Sequence, residues 1–427
     1  MSKVIARFAP SPTGLLHAGN YRTAVFTYLF TRKVGGQFIL RIEDTDRVRS
    51  KSEYTDNIIE SLKWLGLEYD KFAMQSENIA RHKEVLTELI SKDSAYISKE
   101  RHSETGTETE VVRFRNPGID VTFHDLIRGE ITMHTGDLGD FVIAKSVSEP
   151  LFHLAVVVDD FDMNVTHVTR GDDHISNTPR QILIQRAIGA PTPIYAHLPL
   201  LLGTDRTKLS KRKGAKAMTE YRDMGYLPET LVNYMALLGW NPGTDKEIFT
   251  LAELIEQFDF SRVQKSAAIF DDNKLDWLNR KHIRLLTPDE MLKRAGEYLP
   301  NRECEKFLPL LLERINKFSD IVDMLKEGGE FHFLLTPPKI TRELLVGKSG
   351  ANVEEIKKHL TYILEKGIDK EIVWPYAEQM GKSKVLWPMR VALSGKAKSP
   401  DPFTLAKYLG KEESVLRLEN ARKIFDN

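Results

Sequence analysis

A single cysteine, Cys304, occurs in 427 residues. One thiol excludes an intrachain disulfide and a cysteine-rich zinc site, and it reads as a small buried hydrophobe. No apolar run approaches the roughly 18 residues that mark a membrane span, so no membrane partner is expected. The opening stretch, MSKVIARFAPSPTG, lacks a signal-peptide h-region, and a cytoplasmic protein is the expectation. Net charge is missing too, since 61 Lys plus Arg balance 61 Asp plus Glu. Any nucleic acid must therefore meet local cations, because counterion release depends on local phosphate contacts. What is present is ordinary for a folded protein: 41% hydrophobic residues exclude a disordered chain. At roughly 100–200 residues per domain, the length implies two to four domains.

The first 70 residues alternate strand and helix patterns. Lys3 to Ala9 reads as a short strand, followed by a Pro/Ser/Gly loop and a helix from Asn20 to Lys33 with Val25, Phe26, Leu29 and Phe30 on one face. Phe38 to Ile42 reads as a second strand and Ser52 to Leu65 as a second helix, the rhythm of a parallel α/β sheet. Residues 81–149 lose that rhythm and read as an inserted α+β module. It has a polar loop from Ser98 to Glu110 and short strands at Val111–Phe114, Val121–Phe123, Glu130–His134 and Phe141–Lys145. The α/β pattern then resumes. Leu151 to Val158 is continuously apolar and reads as a buried parallel strand. A strand at Thr166–Arg170, a helix at Ser176–Ile188 and a strand at Ile194–Leu202 follow. From about residue 216 the periodicity is helical, as in Val353, Ile356, Leu360, Ile363 and Leu364 with Asn352 and Glu355 at capping-box spacing.

Two motifs suggest chemistry. Pro12 to Asn20, PTGLLHAGN, lies between the first strand and the first helix, where an open α/β sheet binds ligands and a helix N-terminus favours anions. There His17 can donate to a phosphate oxygen, and Gly19 lets a flat base approach the backbone. Lys208 to Gly214, KLSKRKG, follows the last α/β strand. Its bland reading is a solvated basic loop; its functional one is a clamp of ammonium groups on phosphates that gain charge in a transition state. Gly347-Lys348-Ser349 imitates a phosphate-binding loop, but Arg342 stands where the required glycine would be, and the stretch reads as ordinary loop.

Together APSPTG-x-LHAG and KLSKR resemble the HIGH and KMSKS signatures of class I aminoacyl-tRNA synthetases. RIEDTD (Arg41 to Asp46), VVVDD with VTRGDDHISNTPRQ (Val156 to Gln181), and WPMRVAL (Trp387 to Leu393) resemble the bacterial-type glutamyl-tRNA synthetases. The resemblance spans nearly the whole chain and is strongest over 1–70 and 150–240. It implies a Rossmann-like parallel-sheet catalytic domain (1–80 and 150–215) with an inserted acceptor-end-binding module (81–149). An all-helical C-terminal half would follow, with a stem-contact domain (216–310) and an anticodon-binding domain (311–427).

The same resemblance implies roles. Arg7 and Arg170 would hold the substrate γ-carboxylate, a task suited to the planar, always charged guanidinium fork. Glu43 would take the α-ammonium, with Ser11 nearby. His17, Gly19, Asp173, Lys208 and Lys211 would surround ATP, His17, Lys208 and Lys211 being catalytic. Mg²⁺ would arrive with ATP. The partners implied are tRNA(Glu), ATP and L-glutamate, and the expected state is a monomer. Lys382, Lys384, Arg390, Lys396 and Lys398 would face phosphates, and Trp374, Tyr376 or Trp387 would stack on anticodon bases or else belong to the core.

Two departures stand out. Relatives often place zinc-binding cysteines in the insertion, whereas Ala95-Tyr96-Ile97-Ser98 offers none, so neither zinc nor any other protein-held metal is expected. Phe152 stands where relatives often have Tyr, so no hydroxyl reaches the substrate from that position. Glutaminyl-tRNA synthetase is the nearest alternative, but its anticodon domains are β-barrels. A glutamyl-queuosine-type paralogue would lack the helical half. A catalytically dead tRNA-binding relative would have no need of His17, Lys208 and Lys211.

Overall fold

A computed structural model describes residues 3–101, 108–209 and 216–426. It divides into two compact units, Met1–Leu285 and Leu286–Asn427.

The first unit begins β1 (Ile5–Phe8), α1 (Ala18–Lys33), β2 (Gln37–Ile42), α2 (Ser52–Trp64), β3 (Lys71–Met74) and α3 (Ile79–Ser91). Six short strands follow: β4 (Ala95–Arg101), β5 (Glu108–Phe114), β6 (Asp120–Asp125), β7 (Gly129–His134), β8 (Phe141–Ser146) and β9 (Glu149–Pro150). Then come α4 (Phe152–Asp162), β10 (His167–Gly171), α5 (Thr178–Ile188), β11 (Ile194–Leu198) and β12 (Leu201–Leu202). Helices α6 (Met218–Asp223), α7 (Pro228–Leu237) and α8 (Leu251–Gln257), strand β13 (Ala268–Ile269) and helix α9 (Asp272–Ile283) complete it.

Seven strands form one sheet in the order β3-β2-β1-β10-β11-β6-β7, parallel except for the β6–β7 hairpin. The expected loop from Ser98 to Glu110 is strand at both described ends, in β4 and β5, and β4-β5-β8-β9 make a separate antiparallel sheet. The insertion thus divides between two sheets, because Tyr195 on β11 pairs with Asp125 on β6. Two apolar layers cover the main sheet. One gathers α1, α2 and α7–α9, the other α3, α4 and α5.

One expected element is of the wrong kind. Leu151–Val158 is not a strand: Phe152–Asp162 is the helix α4, and Leu151 is its N-cap. Leu154 to Val158 are all buried, so this helix is apolar around its circumference and has no polar stripe to reveal its period. The helix also turns its two consecutive carboxylates apart, Asp159 toward the α3 side and Asp160 toward β1 and β2.

The second unit is helical among its described residues, from Pro288–Ala295 to Lys411–Lys423. Helix Val353–Lys366 has the expected reciprocal cap, in which Asn352 accepts from Glu355 N and Glu355 accepts from Asn352 N, both at 2.9 Å. Gly347 ends helix Arg342–Val346 with φ +31°, and a Cβ there would meet Leu344 O at 2.8 Å and the Trp387 ring at 3.0 Å. The glycine of that Gly-Lys-Ser string therefore serves a helix end. Cys304 is buried, as expected. No helix among the described residues is long and apolar enough to cross a membrane.

Candidate active site

The strand order reverses between β1 and β10, and at such a switch point the carboxyl ends of the two strands open a crevice. The crevice here is a cavity of about 430 Å³, within the range of small-molecule sites. Arg7, Ser11, Glu43, Phe152 and Arg170 all line it, so the structure brings the five sequence-derived amino-acid residues together. Val156 and His174 line it as well, and the sequence reading missed both. Val156 stands one helical turn behind Phe152, a neighbourhood that becomes visible once α4 is known to be a helix.

The two arginines are held in opposite ways. Arg7 donates from Nε to Asp160 Oδ1 at 3.0 Å, an ion pair buried on both sides. Arg170 is 8% exposed and donates from Nε to His197 Nε2 (3.2 Å), from one terminal nitrogen to Gln181 Oε1 (2.7 Å), and from the other to Thr178 Oγ1 (2.8 Å). All three acceptors are neutral, and no carboxylate pairs with Arg170 among the described residues. A guanidinium carries five N–H bonds, so two remain for the cavity. Burial lowers its pKa to about 10. An uncompensated buried cation beside a small-molecule cavity is a receptor for an anion.

Arg41 organises the rest. It is 0% exposed and donates to Asp160 Oδ1 at 2.6 Å and Glu43 Oε1 at 3.0 Å, with Asp159 at 3.9 Å. Burial alone would lower its pKa, but Asp160, Glu43 and Asp159 keep it firmly protonated. Glu43 is 7% exposed, and burial raises its carboxyl against the pull of Arg41. Asp159 in turn accepts from Gln75, Asn78 and His82 at 2.7–2.8 Å. Sequence reasoning gave Arg41, Asp159 and Asp160 no role. Their only signal was recurrence inside the RIEDTD and VVVDD strings. Around Phe152, the rings of His153 and His174 lie at 5.5 and 5.9 Å, and burial pushes the His153 imidazole down to about 4.

The described ends of the two signature motifs have these partners. His17 is the N-cap, and its Nδ1 accepts from Gly19 N at 3.0 Å. A Cβ on Gly19 would fall 2.8 Å from the His17 ring, so the close approach this glycine permits in the structure is that of the imidazole. Lys208 forms an ion pair with Asp173 at 2.8 Å and bridges Leu202. That lysine holds the Asp173 carboxyl below its usual range although burial opposes it. Ala217 bridges His17. Lys208 is thus beside Asp173, and Ala217 beside His17. Lys211 lies outside the described residues.

In the helical unit the expected contact residues separate. Tyr376 stacks on Tyr362 at 3.7 Å, and Trp387 donates to Leu344 O at 3.0 Å. Lys384 pairs with Glu355, Lys396 donates to Gly329 O, and Arg390 donates to Ala397 O. Trp374 instead borders a groove with Lys370, Phe403 and Lys407, with Lys382 Nζ 4.5 Å from its ring centre.

Comparison with known proteins shows the family. A family model for the catalytic domain of class I tRNA synthetases (E and Q) matches residues 3–106 and 98–277, and one for an anticodon binding domain matches 250–422. A glutamate–tRNA ligase of Aquifex aeolicus is 40% identical over 98% of both chains, and one of Nitrosospira multiformis 36% over 98% of this chain and 99% of its own. Among solved structures, a glutamate–tRNA ligase from Elizabethkingia meningosepticum in complex with its amino acid superposes with TM-score 0.87 at 28% identity, covering 99% of each chain. With the catalytic-domain model matching more than half of the chain and relatives of 36–40% identity covered over nearly their whole length, the chain belongs to the glutamate–tRNA ligases of the class I tRNA synthetase family.

Proposed function

We propose that this protein activates L-glutamate with ATP and transfers it to tRNA(Glu). The observation that carries the reading is Arg170, a buried guanidinium with only neutral acceptors, facing a cavity of about 430 Å³ beside the His17 and Lys208 motifs. The γ-carboxylate of glutamate supplies the missing counter-charge, with the terminal nitrogens of Arg7 on its other side. Glu43, held by Arg41, accepts from the α-ammonium, and Ser11 borders the same end. Phe152 and Val156 give the cavity an apolar wall.

ATP, entering as its Mg²⁺ complex, sits at the α1 N-terminus, with Asp173 near the ribose or a metal-bound water. In the first step the α-carboxylate oxygen of glutamate bonds to the α-phosphorus, and the bond to pyrophosphate breaks. His17, Lys208 and Lys211 stabilise the charge that moves onto the leaving phosphates. In the second, a hydroxyl of the terminal ribose of tRNA attacks the adenylate carbonyl and AMP leaves. Neither step needs a protein nucleophile, so positioning and charge stabilisation carry both.

Residues 81–149 are assigned to the acceptor end of tRNA, 216–310 to its stem and 311–427 to the anticodon. The open groove beside Trp374 favours that residue for base stacking. A cytoplasmic monomer completes the proposal. Charging of tRNA(Glu) and tRNA(Gln) transcripts, with pyrophosphate exchange measured with and without tRNA, tests it. Glutamate-dependent charging of tRNA(Glu) is expected, and absence of exchange under every condition would overturn it.

A further inference from the structure

His197 stands beside Arg170 and has no role in the scheme above. The two residues are register partners on the adjacent parallel strands β10 and β11. The imidazole is fully buried, with Nε2 accepting from Arg170 Nε and the Thr178 hydroxyl 3.2 Å from the same nitrogen. Nδ1 lies 2.7 Å from Asp125 Oδ2, which also accepts the His197 backbone N–H at 2.9 Å. The other oxygen of Asp125 accepts the backbone N–H groups of Ile127 and Arg128, each at 2.9 Å. Four donors thus converge on one buried carboxylate, and against the effect of burial they hold it ionised. An ionised Asp125 only accepts, so His197 must carry its proton on Nδ1 and present a lone pair at Nε2. The opposite tautomer would set an N–H against the N–H of Arg170.

We propose that Asp125 and His197 are positioning residues for glutamate selection. Asp125 fixes the tautomer of His197, and His197 takes the Nε–H of Arg170 and so aims the guanidinium at the cavity without neutralising it. The contrast with Arg41 shows why the acceptor is a neutral ring. Arg41 is gripped by carboxylates, is 0% exposed and does not line the cavity. A carboxylate at position 197 would satisfy Arg170 in the same way and remove its demand for the substrate anion. Asp125 comes from β6, so the segment between β3 and α4 reaches the amino-acid site through the sheet.

The inference rests on Arg170 being the carboxylate receptor, and the test separates the two. His197→Asn retains an N–H for Asp125 but offers Arg170 no acceptor, whereas His197→Gln can extend an oxygen toward Arg170. Asp125→Asn places an amide N–H among donors and favours the wrong tautomer. Arg170→Gln is the reference. Steady-state charging is measured for glutamate and for ATP, with melting temperatures, and ¹⁵N NMR reports the His197 tautomer. His197→Asn and Asp125→Asn are expected to raise the glutamate KM about ten- to a hundredfold. The ATP KM should stay at its wild-type value, and His197→Gln should recover most of the loss. In Asp125→Asn the ring proton should move from Nδ1 to Nε2. The proposal is overturned if His197→Asn keeps the wild-type glutamate KM while Arg170→Gln does not, or if ATP and glutamate KM rise together. If Arg170→Gln also leaves the glutamate KM unchanged, the carboxylate reading falls and this one with it. Should Asp125→Asn fail to fold, the two His197 variants decide.

Discussion

Replacing Arg170 with glutamine should destroy glutamate recognition while sparing the stability of the ligand-free protein. Burial lowers the guanidinium pKa to about 10 from the usual arginine range. At 1.36 kcal/mol per unit, carrying this charge costs the fold on the order of 3 kcal/mol. The sign follows from linkage. A base whose folded pKa lies below its unfolded value destabilises the fold at every pH below the folded pKa, and the deficit closes as pH rises above about 10 toward the unfolded value. Glutamine removes that cost, and its amide can keep part of the hydrogen bonding that the charged guanidinium supplies at about 1.5–3 kcal/mol per bond. Relief of the cost and loss of the remaining bonding nearly cancel, so the melting temperature should barely move. Arg7→Gln differs, because it takes a partner from the buried Asp160 and should cost about 1–3 kcal/mol. Arg41→Gln strips both Asp160 and Glu43 and should cost about 3–5 kcal/mol. On the binding side, losing a buried guanidinium–carboxylate pair costs about 2–5 kcal/mol, or about 30- to 4,000-fold in kcat/KM for glutamate. Thermal unfolding with and without glutamate, together with charging kinetics for glutamate and glutamine, reads both sides. Glutamate should raise the melting temperature of the wild type and not of Arg170→Gln. If Arg170→Gln loses as much stability as Arg41→Gln, Arg170 is not held as an uncompensated charge. If it keeps wild-type glutamate kinetics, the pocket lies elsewhere.

Three further outcomes are expected. Lys211→Ala should lower pyrophosphate exchange about 10²–10³-fold with tRNA binding nearly intact in a filter-binding assay, and wild-type exchange would count against the phosphate clamp. The purified protein should contain no stoichiometric zinc by elemental analysis and remain active in EDTA once Mg²⁺ is in excess; one tightly held zinc required for activity would refute this. Phe152→Tyr should lower the glutamate KM severalfold, since the cavity wall then gains a hydroxyl donor worth about 0.5–1.5 kcal/mol. An unchanged or higher KM would show that the hydroxyl does not reach the carboxylate.

Much of the fold could be read locally, and the failures have identifiable causes. α2 buries one side and announces its period, and the Asn352–Glu355 cap marks its helix start because capping is a contact between near neighbours in sequence. Helix α4 misleads because Leu154 to Val158 are buried on every side. The joining of β6 to β11 carries no local signal, since register between distant strands is fixed only by packing. The cavity residues Arg7, Ser11, Glu43, Phe152 and Arg170 came from motif resemblance rather than from periodicity. Arg41, Asp160, Asp125 and His197 stayed invisible for a physical reason: a buried charge or hydrogen-bond network is defined by partners that only the tertiary structure brings together.

The position of β6 also bears on synthesis of the protein. β6 and β7 can close as a hairpin once both have been made, but the strand beside them is β11, and His197 follows Asp125 by 72 residues. At about 5–20 residues per second, a ribosome leaves β6 without that neighbour for about 4–14 s. β1 waits longer for β10, as Ile5 and its partner Thr166 are 161 residues apart. During that interval Val121 and Phe123, and the open backbone edge of β1, have no cover from the later strands. Nascent chains arrested between β7 and β11 should therefore be the ones that ribosome-associated holdase chaperones bind most strongly, and the affinity should fall once Leu198 has cleared the exit tunnel.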